Sequence, residues 1–175
     1  MKKTRSQSWL LLVILAAFAL TAVQPEPSAA AGDRKTKTHT VWSATSPAIN
    51  ETHLFEGYIN QKGDPVGFHA RPGGRDPGNA RVAAVTEPPN KAGVYAARVE
   101  IRASGGRWLS KQSTFFPDKM TRKEVVEAVR HAYQNDTSRK SGKFSGPSGK
   151  GFTIEGYLLH DGKINTAFPV YRRDQ

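Results

Sequence analysis

The 175-residue sequence contains no cysteine. Disulfides, thiolate nucleophiles and cysteine-ligated metal centres are therefore excluded, and packing alone must hold the fold. A membrane-spanning helix needs about 20 apolar residues, and the longest uncharged apolar run, residues 9–23, has 15. The chain has no internal repeat, Gly-x-Gly-x-x-Gly, Walker loop or His-Glu-x-x-His, which leaves nucleotide-cofactor and zinc-peptidase chemistry without support. Acidic residues are also scarce: 15 Asp and Glu against 26 Lys and Arg give a formal charge of +11.

The apolar run follows Lys2, Lys3 and Arg5 and precedes Pro25, Pro27 and the small-residue stretch Ser28, Ala29, Ala30, Ala31. This is the layout of a secretory signal peptide over residues 1–31, cleaved after Ala31, and it predicts a secreted protein without stable membrane insertion. The remaining 144 residues suit one domain around a single core. Removing the three cations and one carboxylate of residues 1–31 leaves a charge of +9. Such a balance favours a polyanionic partner: nucleic acid, anionic lipid or cell-wall polymer. Residues 32–40 are polar, basic and aperiodic and read as a flexible arm, with residues 41–175 as the folded domain.

Within that domain, Ser46-Pro47 predicts a helix start, with serine as cap and proline in the first turn, running through Leu54 and Phe55 to a stop at Gly57. His53 then falls near the helix C-terminus. Short extended pieces follow, with Phe68-His69 at a strand end or in the loop after it. Residues 94–101 alternate strictly, placing Tyr95, Ala97, Val99 and Ile101 on one face. Ser104-Gly105-Gly106 turns this strand back into a partner over 108–116 that carries Lys111. Thr121 and Glu124 form a capping box for a helix whose stripe is Val125, Val129, Ala132 and Tyr133. Residues 135–150 read as a mobile basic loop, and two last strands, 152–159 and 163–170, meet at Asp161-Gly162. His39, His131 and His160 fall in the arm, off the helix stripe and beside a turn, and read as solvated. The pattern predicts an α+β fold with an N-terminal helical segment and mainly antiparallel sheets around a central cleft.

RNA can be cleaved through its own 2′-hydroxyl. The reaction needs a base for that proton, an acid for the departing 5′-oxygen and a cation near phosphorus. His53, His69 and Lys111 are residues of the required types, because imidazole exchanges protons near neutral pH. Taken singly, each has a structural reading: His53 as a helix C-terminal cation, Lys111 as a strand-edge charge, Thr166 as an ordinary strand threonine.

Four segments in order change that balance: Thr52-His53-Leu54-Phe55-Glu56-Gly57, Val66-Gly67-Phe68-His69-Ala70-Arg71-Pro72-Gly73-Gly74, Lys111-Gln112-Ser113-Thr114-Phe115-Phe116-Pro117 and Thr166-Ala167-Phe168-Pro169. Over residues 41–171 the chain resembles the bacterial branch of the EndoU endoribonucleases. The resemblance implies that His53 and His69 are catalytic, with His69 the base and His53 the acid, that Lys111 is the catalytic lysine, and that Thr166 and Phe168 contact the uracil. It implies cleavage of single-stranded RNA at uridylates to a 2′,3′-cyclic phosphate. No cofactor is required, although Mn2+ stimulates some members, and the family's contact-dependent toxins allow for a cognate immunity protein. The protein is expected to be a monomer.

The family's usual tyrosine is Phe168 here, which keeps a stacking face and loses a hydrogen-bond donor. Ser113 and Thr114 are further candidates for the uracil edge, and Arg71 is the first candidate for a phosphate contact, ahead of Arg75, Arg81, Arg98, Arg107 and Lys91. The competing reading is a non-catalytic secreted RNA- or polyanion-binding module with structural histidines. Convergence of His53, His69 and Lys111 on one cleft separates the two.

Overall fold

The computed structural model describes residues 39–138 and 140–174. The signal-peptide segment and all of the basic arm except His39 and Thr40 lie outside them. The chain runs through helix α1 (Glu51–Phe55), a short hairpin of β1 (Tyr58–Ile59) and β2 (Pro65–Val66), and three longer strands, β3 (Ala80–Glu87), β4 (Tyr95–Arg102) and β5 (Trp108–Phe115). Helix α2 (Arg122–Gln134) and strands β6 (Lys143–Pro147), β7 (Thr153–Leu158) and β8 (Ile164–Pro169) complete it. The strands form three antiparallel sheets, β1-β2, β3-β4-β5 and β6-β7-β8, so the fold is α+β. Among the described residues no helix is long and apolar enough to cross a membrane.

The alternation in β4 buries Tyr95, Ala97, Val99 and Ile101 and leaves Arg98 and Arg102 exposed. Strand β5 pairs with it in unbroken register from Tyr95 opposite Phe115 to Arg102 opposite Trp108. In α2, Thr121 accepts from the Glu124 backbone N–H while the Glu124 carboxylate accepts from that of Thr121, closing the capping box. Its buried stripe is Val125, Val126, Ala128, Val129 and Ala132.

Three expectations are corrected. The first helix does not begin at Ser46-Pro47: residues 41–50 turn back on themselves instead, with Trp42 bridging Asn50 and the Ser43 N–H donating to the Ile49 carbonyl, and the segment docks on β8. The Asn50 N–H donates to the Ile164 carbonyl and the Ile164 N–H to that of Ala48. Asn50 is the cap instead, its side chain accepting from the His53 N–H, and the helix is a single turn and a half. Residues 135–150 are not one loop, since β6 forms there around Phe144, which is buried and meets Tyr133 edge-on. Strand β3, unpredicted, pairs with β4 through two register shifts that break its alternation.

Two apolar clusters result. One joins α1, α2 and the β6-β7-β8 sheet and includes Leu54, Phe55, Ala70 and Phe144. The other covers the inner face of β3-β4-β5 and includes Phe68, Tyr95, Val99 and Phe115. Residues 67–70 stitch them together, with Phe68 entering one cluster and Ala70 the other, so the side chain between them, His69, is held where the clusters meet.

Candidate active site

Backbone hydrogen bonds fix the segment carrying His69 on both sides. Phe68 N–H donates to the His53 carbonyl, His69 and Ala70 N–H to that of Leu54, and Phe116 N–H to that of His69. The chain enters through two consecutive left-handed residues, Gly67 (φ 77°) and Phe68 (φ 60°). A β-carbon on Gly67 would collide with the His53 carbonyl oxygen, so only glycine allows this approach. A bulky residue such as Phe68 adopts positive φ only when its surroundings impose it, and such conformations concentrate at functional sites.

The result brings His53 and His69 together, rings stacked with centroids 5.8 Å apart and planes 23° apart. Lys111 reaches across from β5 and donates from Nζ to the Gly67 carbonyl at 2.9 Å. The three residues picked from their motifs therefore converge on one place, as a catalytic reading requires and a purely structural one does not.

The tautomer of His69 follows from its neighbours. Nδ1 lies 3.1 Å from the Thr114 carbonyl oxygen, which can only accept, and 2.9 Å from Ser113 Oγ. The Ser113 hydroxyl spends its proton on the Phe68 carbonyl, 2.8 Å away, and so accepts from His69. Nδ1 thus carries the proton and Nε2 presents a lone pair. Burial, then the Lys111 ammonium, then His53, push the His69 imidazole well below its usual range, with the Thr114 carbonyl opposing. Its neutral, proton-accepting form is the stable one.

For His53, burial and then Lys111 lower the pKa to about 4. Its Nδ1 lies 3.5 Å from the Tyr58 hydroxyl, whose ring meets it edge-on. Burial also raises the Tyr58 phenol above its ordinary value, against a hydrogen bond from Asn50. Lys111 is lowered to about 8, again by burial, and remains a cation at pH 7. The cleft thus holds two neutral imidazoles and one ammonium.

Beside His69 opens a recess of about 300 Å³ lined by His69, Ala96, Gln112, Ser113, Thr114 and Phe168. The Phe168 ring stands 5.6 Å from that of His69, so a planar group in the recess would have an aromatic wall next to the base. Thr114, a candidate for the uracil edge, lines the recess. Ser113 is buried, lines the recess beside His69 and orients the imidazole. Thr166, two residues before Phe168 on β8 and opposite Tyr157, does not line the recess itself.

Arg71 is not brought to the site. Its guanidinium is engaged locally instead, donating to the Gly74 carbonyl and pairing with Asp76. Sequence reasoning missed Tyr58, Gln112 and Ala96. Tyr58 follows the first histidine motif directly and Gln112 lies inside the third motif beside Lys111, which were weak signals for them; nothing in sequence marked Ala96. A larger recess of about 650 Å³ lies between Phe55, Ala70, Arg75 and Arg122 and holds none of the acid–base groups. Among the described residues no three His, Asp or Glu side chains cluster as metal ligands.

With this geometry in view, similarity decides the family. The profile of the bacterial EndoU nucleases matches residues 47–171, most of the chain and all of the site. The chain belongs to the bacterial EndoU nuclease family. It is also 34% identical over 118 residues to a protein of Bacillus cereus named "Toxin", a match covering 67% of this chain and 22% of that protein. The chain therefore spans only about a fifth of that curated relative. No solved structure matches it. As an EndoU nuclease it brings His53, His69 and Lys111 together in one cleft, with Phe168 beside it.

Proposed function

We propose that this EndoU nuclease is an endoribonuclease that cleaves single-stranded RNA at uridylates by transesterification, and that it acts as a secreted toxin. The observation that carries the reading is the arrangement around His69: a buried neutral imidazole with Nδ1 committed to two protein acceptors and Nε2 left free beside a second imidazole and an ammonium. His69 Nε2 takes the 2′-hydroxyl proton. The O2′ attacks phosphorus as the P–O5′ bond breaks, and protonated His53 delivers a proton to O5′. The products are a 2′,3′-cyclic phosphate and a 5′-hydroxyl. Lys111 stabilises the charge gathering on the non-bridging oxygens.

His53 is neutral in the empty site at pH 7, yet it must donate. The phosphodiester anion supplies the remedy, because a negative charge nearby favours imidazolium. Substrate binding therefore takes up a proton. The expected consequence is a split between pH profiles. kcat/KM reports the free enzyme and should rise about tenfold per unit as pH falls from 7 toward 5, following the minor protonated fraction of His53. kcat reports the complex and should peak nearer neutral. Both lose activity on the alkaline side as Lys111 discharges, kcat/KM first, near pH 8. A kcat/KM profile that is flat between pH 5 and 7 would contradict the acid role of His53.

Base preference is assigned to Thr166, Phe168 and Thr114. Phe168 offers a ring face on which any base can stack, while a hydroxyl can pair with the uracil edge. Phe168→Tyr is expected to sharpen the preference for uridine over cytidine and Thr166→Ala to blunt it, each by roughly 1–3 kcal/mol at most. Sequencing the products of a mixed-base RNA tests both; unchanged preference in Thr166→Ala removes that residue from recognition.

The toxin reading rests on the Bacillus cereus relative's name, and the secretion reading on the N-terminal signal pattern. The charge of +9 outside that segment fits both an RNA substrate and a small acidic immunity protein that would cover the cleft. The reading is tested by incubating the purified domain with a defined uridine-containing oligonucleotide: cleavage 3′ to uridine is expected, and an intact oligonucleotide overturns it.

A further inference from the structure

Strand β5 contributes to the site from both faces. Lys111 and Ser113 lie opposite Val99 and Ala97 on the inner face, whereas Gln112 and Thr114 alternate to the outer face, as period-two geometry demands. The recess beside His69 is lined by both sets. It therefore opens around β5, the edge strand of its sheet, onto the outer face of β3-β4-β5.

That outer face continues the recess as a row. Ala96 lies opposite Thr114, Arg98 opposite Gln112, Glu100 opposite Ser110 and Arg102 opposite Trp108. Arg81 pairs with Glu100 at 2.7 Å and stacks its guanidinium 4.3 Å from the Trp108 ring centre. Arg98 and Arg102 are exposed, and among the described residues neither guanidinium has a hydrogen-bond, ion-pair or ring partner. The face thus presents two free arginines whose backbone positions lie about 13 Å apart along β4, polar Gln112 and Ser110, and an aromatic at its far end. Its two carboxylates, Glu100 and Glu87, the latter opposite Ala96, are each already paired with an arginine, Arg81 and Arg173. Nothing in folding requires Arg98 or Arg102 to be cationic, because the inner face supplies the core.

We propose that the outer face of β3-β4-β5 is the path along which the single-stranded RNA leaves the catalytic recess, with Arg98 and Arg102 contacting phosphates of nucleotides flanking the cleaved one. The inference rests on the reading that the substrate is RNA and adds where its flanks lie. Backbone contacts of this kind hold a strand in place without reading its sequence. Interleaved cationic and aromatic side chains on an open sheet are a recurrent means of binding single strands. Arg71, engaged locally, leaves this role to Arg98 and Arg102.

The test measures binding apart from cleavage. A fluorescent 12-nucleotide RNA with 2′-deoxyuridine at every uridine position cannot supply the attacking hydroxyl, and its anisotropy is followed from low to physiological salt. Arg98→Gln with Arg102→Gln is expected to weaken binding by roughly tenfold and to flatten the slope of log Kd against log salt by about 1.4, or 0.7 for each lost contact. A charge-matched control, Lys62→Gln with Lys123→Gln, alters exposed cations on the β1–β2 turn and on α2 and should change neither by more than a small fraction. Equal losses in both double variants would mean that only net charge matters, and wild-type affinity and slope in the arginine variant would mean that RNA does not cross this face; either result overturns the proposal. If the wild type cleaves no RNA while the arginine variant still loses binding selectively, the nuclease reaction assigned above falls and the RNA path stands.

Discussion

Replacing His69 by alanine is expected to lower kcat by about 10²–10⁴, the usual cost of removing a general acid or base, in a chain that still folds. His53→Ala should do the same. The two differ in what else they disturb. The imidazole of His69 donates to the Thr114 carbonyl and to Ser113 Oγ, so its removal strands a buried acceptor and should cost about 1–3 kcal/mol of stability. Ser113→Ala separates positioning from chemistry: His69 keeps Nε2 but loses one of the two groups that fix its tautomer, so a smaller fall in kcat is expected, restored in part by Ser113→Thr.

Both histidines also tie stability to pH. Their pKa values are lowered in the fold, so the unfolded chain binds more protons than the folded one below about 6.5, and stability must fall as pH drops from there toward 4. His53→Ala should flatten that dependence. Urea midpoints at pH 7 and pH 5, compared between wild type and variant, check the folding claim, and kcat checks the chemistry. A His69→Ala protein that keeps most of its activity contradicts the assignment of the base.

The largest effect on the fold is expected at Gly67, which touches no substrate. Alanine there must adopt φ near 77° and place its β-carbon against the His53 carbonyl oxygen and the Gly57 backbone, where no flexible side chain can yield. Steric overlap of that kind typically costs several kcal/mol. Because the carbonyls of Gly67 and His53 position Lys111 and the His69 segment, any Gly67→Ala protein that folds should have lost most of its activity. A thermal midpoint within a few degrees of wild type, together with normal turnover, would mean that the close approach between the two histidine segments is not required.

How much of this was readable in the sequence depends on how local its causes are. The β4–β5 hairpin and α2 were plain, since strict alternation and a reciprocal capping box are written in adjacent residues. Strand β3 was hidden by two bulges, and β6 by having Phe144 as its single large apolar residue. The first helix was misplaced because the backbone of residues 48–50 bonds to Ile164, more than 100 positions away, and no local signal reports that. At the site the motifs named the three residues that meet in the cleft, yet not the directions of their neighbours. Ser113 and Thr114 were read alike as candidates for the uracil edge, whereas in β5 Ser113 shares the face of Lys111 and Thr114 takes the other. Arg71 was read from its closeness to His69 in sequence, but Asp76 and the Gly74 carbonyl, brought near by a left-handed turn, draw it away.

The central claim, cleavage by the substrate's own 2′-hydroxyl, is tested most directly by mass spectrometry on two oligonucleotides that differ at one position. The first carries a single uridine and the second the same residue as 2′-deoxyuridine. The first should give one cut 3′ to the uridine, with a 2′,3′-cyclic phosphate on one fragment and a 5′-hydroxyl on the other, and the second should remain intact at that position. Cleavage of the deoxy strand there, or fragments bearing a 5′-phosphate, would show that the 2′-hydroxyl is not the nucleophile and that His53, His69 and Lys111 do not perform the reaction assigned to them.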